Sequence, residues 1–142
     1  MFDTSHLAQQ AKKLGLFAAG AATQKYMQAI QEQQEIMGAI ADMTIETYAM
    51  ESAVLRAQKI VASKGESAAA LPLAMTRVYL AQAMEKIESA ARKVIAAVAD
   101  GDTLRTQLAI LRRLAKHEPF NTIALRHAIA LQMIERGKYT LA

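Results

Sequence analysis

A chain of 142 residues, 53% of them hydrophobic and only 5% aromatic, is long enough for one core and, on length, one domain spanning 1–142. It has no cysteine, which excludes a disulfide framework, thiolate catalysis and a cysteine metal site, and which suits a cytoplasmic compartment. Net charge is +4 and lies C-terminally: from Thr103 onward seven cations face two anions, whereas the first 102 residues carry ten and eleven.

No uncharged apolar run approaches the ~20 residues needed to cross a bilayer. Asp3 and His6 stand where a signal peptide would need basic residues, so a soluble chain is expected. Residues 1–5 are expected to be disordered, with Ser5 as a helix N-cap. A first helix is predicted from about His6 to Glu32, with Leu7, Ala11, Leu14, Phe17, Ala18, Ala21 and Ala22 on one side. Gly15 and Gly20 predict a break or a close helix crossing, because each costs about 1 kcal/mol against alanine in a helix. The plain reading of this segment is an amphipathic helix docked on a bundle. The sharper one is peripheral membrane contact through residues 7–30, with Lys12, Lys13 and Lys25 facing head groups.

The central stretch is Ile36 to Val61. Ile36, Ile40, Met43, Thr47, Met50, Val54, Ala57 and Val61 recur at steps of four and three, one seam of a long helix. Met37, Ala41, Tyr48 and Leu55 form a second row about a third of a turn away. Two adjacent apolar faces predict a helix at the centre of a bundle. Ser63 to Ser67 reads as a turn with Gly65 closing the helix.

A third helix is predicted from Leu71 to Ala99, with Pro72 in its first turn and a stripe of Leu73, Leu80, Met84, Ile87, Ala91, Val94 and Val98. Glu88 and Arg92 stand four apart in the favourable order. Gly101 is expected to close this helix and Asp102 to cap the next, Thr103 to Lys116. Pro119 ends it, Asn121 caps a last helix reaching Arg136, and Gly137 closes the chain's helical part. The fold class is therefore all-α: a four- to five-helix up-and-down bundle, with 36–61 and 71–99 as a long antiparallel pair and a shorter C-terminal helical hairpin packed against it.

Three blocks carry a family likeness. Ala41-Asp42, Ile45-Glu46, Tyr48-Ala49-Met50 and Leu55-Arg56-Ala57 are the first. Asp100-Gly101-Asp102 with Leu104-Arg105 and Leu111-Arg112-Arg113-Leu114 is the second. Asn121 to Arg126, running on to Ile134 through Tyr139, is the third. Together they resemble the C-terminal helical domain of acyl-CoA dehydrogenases of the very-long-chain type and their bacterial relatives. The resemblance implies a non-catalytic accessory and dimerisation domain of an FAD-dependent enzyme of fatty-acid β-oxidation. It also implies partners in that enzyme's catalytic domain and a second copy. The isolated chain is then expected to be no enzyme, a piece cut from a longer oxidoreductase with Met1 introduced at its start.

The residues themselves assign no catalytic, cofactor-binding or metal-binding side chain. His6, His117 and His127 lie far apart, and none has the Glu-x-x-His spacing of a di-iron bundle. His127 shares a face with Ile123, Ala130 and Ile134 and reads as a core or interface histidine. Asp42 and Glu46 repel at i, i+4 and read as a solvated or interdomain polar face, with a salt bridge to an arginine on a neighbouring helix (Arg105, Arg112 or Arg126) as the alternative. No glycine-rich loop or strand is present to hold a flavin pyrophosphate. Arg105, Arg112, Arg113 and Lys116 form a basic face without aromatics, which reads as a solvated or interdomain surface with no nucleic acid. Two alternatives remain from the residues alone: a free-standing helical interaction module, and a basic membrane-surface or nucleic-acid binder.

Overall fold

The computed structural model describes residues 2–139. Five α-helices follow one another, and among the described residues there is no strand: α1 (Phe2–Tyr26), a short 3₁₀ turn (Met27–Glu32), α2 (Gln34–Ala68), α3 (Ala70–Val98), α4 (Gly101–Ala115) and α5 (Thr122–Arg136). The all-α expectation holds.

The long seam of α2 does what its spacing requires. Ile36, Met43, Met50, Val54 and Ala57 are buried, and the row ends on Ile60 in place of Val61. α2 and α3 are antiparallel: residues 53–60 line one crevice with 72–79, and residues 42–46 line another with 85–93. Gly65 makes this possible. Its φ of +83° and ψ of 167° lie in a region that only glycine enters cheaply, so α2 kinks there, ends at Ala68 and gives way to α3 at Ala70.

The centre of the bundle is α3, not α2. It packs against α1, α2, α4 and α5, and it buries residues on more than one side, from Leu71 and Ala74 through Leu80, Ala83, Met84 and Ile87 to Val94 and Ile95. The expected stripe is present, with Leu73 only half-buried. The second row of α2 remains outside: Met37, Tyr48 and Leu55 are exposed. An apolar period shows that a face wants cover, but not whether the same chain supplies it.

α1 departs most from expectation. It is continuous through Gly15 and Gly20, and neither glycine has a neighbour close enough to explain it. The break comes at Met27, a non-glycine residue with φ of +52°, where helix gives way to the 3₁₀ turn. Helix begins at Phe2, so residues 2–5 belong to α1 and Ser5 is not its cap; Thr4 is wholly buried, while Met1 lies outside the described residues. Leu7, Ala11, Leu14, Ala18 and Ala22 face the core, and Lys12 ties α1 to Glu51 of α2 at 2.6 Å.

The junction after α3 also differs. Ala99 and Asp100 are extended, and Gly101, with φ of +54°, opens α4 where it was expected to close α3. Asp102 stands within the first turn, paired with Arg105, and does not cap. Asn121 caps α5 as read, accepting from the Ala124 N–H at 3.0 Å, and Gly137 closes that helix in the left-handed conformation. α4 leans on α1 and α3, whereas α5 leans on α3. The two short helices follow one another as a hairpin would, yet its arms do not touch.

Candidate functional site

Between α2 and α3 lies an open cleft of about 580 Å³ whose polar lining is Asp42, Glu46, Glu85, Lys86, Ser89 and Lys93. At its edge the Tyr79 hydroxyl donates to Glu46 Oε2 at 2.7 Å, and Lys86 Nζ donates to Glu46 Oε1 at 3.4 Å. Burial, then the hydrogen bond to Glu46 and its negative charge, push the Tyr79 pKa up to about 12. Chemically this is a held proton. Tyr79 is a donor throughout the neutral range, and Glu46 has both oxygens engaged, so neither is poised as a base.

The partner of Glu46 is thus not an arginine of the later helices. α2 does not touch α4 or α5, which puts Arg105, Arg112 and Arg126 out of its reach. Arg105 pairs with Asp102 on its own helix, Arg112 and Arg113 are exposed, and Leu111 and Ala115 pin α4 from the other side. Asp42 is exposed. Tyr79 was missed because its only signal is its place beside the α3 stripe, which says nothing of what it faces on α2.

The histidines fare differently from their sequence spacing. His6 and His117 line one crevice of about 330 Å³, beside Gln10, Lys116 and Glu118. There Gln10 Nε2 donates to the carbonyls of Leu114 (3.1 Å) and Lys116 (2.7 Å), tying α1 to the end of α4. His117 Nδ1 sits 2.8 Å from the Ala115 carbonyl. His127 is on the exposed side of α5, so it is not a core histidine. Among the described residues no three His, Asp or Glu side chains gather around one point.

What the surface offers instead is apolar rows. On α2, Met37, Ile45, Tyr48 and Leu55 are 45–73% exposed. On α5, Ile123, Leu131 and Ile134 are 63–76% exposed, and no residue of this 15-residue helix is buried. Isolated exposed leucines are ordinary, but two whole helix rows are the mark of surfaces made to be covered.

The class defined by this fold is an all-α packing domain. The chain belongs to the acyl-CoA dehydrogenase C-terminal domain family, whose family model matches residues 10–113. A probable acyl-CoA dehydrogenase of Bacillus subtilis (strain 168) is 41% identical over 136 residues, 96% of this chain and 23% of that protein. The crystal structure of an acyl-CoA dehydrogenase complexed with FAD from Bacillus anthracis is similar with a TM-score of 0.95 and 40% identity. The likeness covers 96% of this chain and 24% of that one, so the chain spans about a quarter of the relatives it matches. The cleft between α2 and α3 does not suit a flavin dinucleotide: Asp42, Glu46 and Glu85 would face its pyrophosphate against two lysines.

Proposed function

We propose that this chain is the non-catalytic C-terminal accessory and dimerisation domain of an FAD-dependent acyl-CoA dehydrogenase of fatty-acid β-oxidation, working in a bacterial cytoplasm. FAD and the thioester are handled by the catalytic part of that enzyme, its principal partner. The observation that carries the reading is α5. A 15-residue helix with no buried residue and an outward row of Ile123, His127, Ala130 and Ile134 is held too weakly by its own bundle, and the catalytic body supplies the missing wall. The relatives, four times longer, have the chain length for such a body.

The test is reconstitution. The reading frame is expected to continue upstream into a flavoenzyme. That body, expressed without residues 1–142, should lose stability or assembly and regain them when the chain is added, whereas an Ile123→Asp/Ile134→Asp chain should not bind. A body indifferent to the chain, in flavin content, turnover and mass, overturns the proposal. Affinity for DNA that falls steeply with salt would favour the basic-binder reading instead.

Membrane contact through residues 7–30 is a second reading, favoured by Leu16 and Met27, which are 73% and 69% exposed. The rest of the α1 apolar stripe is spent on the core, so these two residues would have to carry it. Co-sedimentation with anionic vesicles that is unchanged by Leu16→Ser/Met27→Ser dismisses it.

A further inference from the structure

The outward face of α2 has a register of its own. Gly38, Ala41, Ile45, Tyr48, Ser52 and Leu55 are all exposed and recur at steps of three and four, a coiled-coil seam separate from the row that α2 buries. Charge along the same stretch is segregated as far as Gly65, with Glu66 the one anion beyond it in α2. From Glu32 to Glu51 there are five anions (Glu32, Glu35, Asp42, Glu46, Glu51) and no cation. From Ser52 to Gly65 there are three cations (Arg56, Lys59, Lys64) and no anion.

Glu46 and Glu51 are used within the chain, by Tyr79 with Lys86 and by Lys12 respectively. Asp42 and Arg56, which flank the seam, are exposed, and among the described residues neither side chain has an ion pair or hydrogen bond. A helix acidic at one end and basic at the other complements a copy of itself laid antiparallel, and repels one laid parallel.

We infer that α2 pairs antiparallel with α2 of a second copy of this chain, across a two-fold axis between Glu46 and Thr47. In that register Ile45 packs on Tyr48 of the second copy, Ala41 on Ser52, and Leu55 over Gly38, where nothing lies within 4 Å of the position a Cβ would occupy. Large side chains thus meet small ones at both ends, and Asp42 lies beside Arg56 of the second copy, twice by symmetry. The inference rests on the dimerising role proposed above and names the surface and orientation for it. α5 is left to the catalytic body.

Charge reversal tests the orientation as well as the contact. The wild-type chain should run at twice its monomer mass in sedimentation equilibrium. Asp42→Arg alone and Arg56→Asp alone each place like charges together and should weaken the dimer by more than about tenfold. An equimolar mixture of the two variants restores both opposite-charge contacts and should recover the dimer, as should the double variant. Both positions are exposed, and far-UV circular dichroism spectra superimposable on wild type would confirm that the fold is untouched. A wild-type chain that stays monomeric, single reversals without effect, or a mixture that fails to recover the dimer overturns the pairing. Monomeric chain that still restores the flavoenzyme body would overturn this inference alone; dimeric chain that ignores the body would overturn only the accessory role.

Discussion

The Tyr79 hydroxyl is held against Glu46 at 2.7 Å, and its pKa of about 12 stands above the ordinary 10.0 of an exposed phenol. A pKa raised on folding contributes stability that is whole below pH 10.0 and is lost as pH climbs through about 12. The difference in urea midpoint between wild type and Tyr79→Phe should therefore shrink across that window and be constant below it. In ultraviolet titration one of the four tyrosines should ionise late, and Tyr79→Phe should abolish that late step. The neighbouring Lys86 contact is 3.4 Å long with its lysine largely exposed, so Lys86→Ala should cost less than about 1 kcal/mol.

The helices owe their ends to a few side chains, and those ends can be weighed separately. Asn121 satisfies the Ala124 N–H at the start of α5, and Asn121→Ala should cost about 1 kcal/mol and lower Tm. Gly20 lies in continuous helix with open space where a Cβ would go, so Gly20→Ala should raise stability by up to about 1 kcal/mol. The same change at Gly65 should destabilise, because φ of +83° there is what turns α2 into α3. Thermal melts of the three variants give one sign for Gly20→Ala and the opposite for the other two. An unchanged melt for Gly65→Ala would contradict the account of that turn.

For the molecule as a whole, the buried core and the proposed docking rows fall on different surfaces. Ile87 and Leu111 are fully buried, the first in α3 and the second where α4 meets the bundle. Truncating either to alanine should cost about 2–5 kcal/mol through lost burial and a cavity. Ile134, 76% exposed, should tolerate Ile134→Asp with less than about 0.5 kcal/mol change in unfolding free energy while losing capture by the catalytic body. Denaturant midpoints and binding measured on the same variants would show this division, and a strongly destabilised Ile134→Asp would refute it.

Local rules read well wherever a local cause operates. The buried seam of α2, the α3 stripe, the Asn121 cap and the Gly65 and Gly137 ends follow from helical period and from backbone angles only certain residues accept. Partners between helices were another matter. That Tyr79 and Lys86 hold Glu46, that His6 and His117 share a crevice, and that α3 displaces α2 from the centre all depend on crossings between segments distant in sequence. Periodicity reports that a face is apolar, but burial is a property of what lies opposite. The rows on α2 and α5 stay open because, among the described residues, nothing lies opposite them.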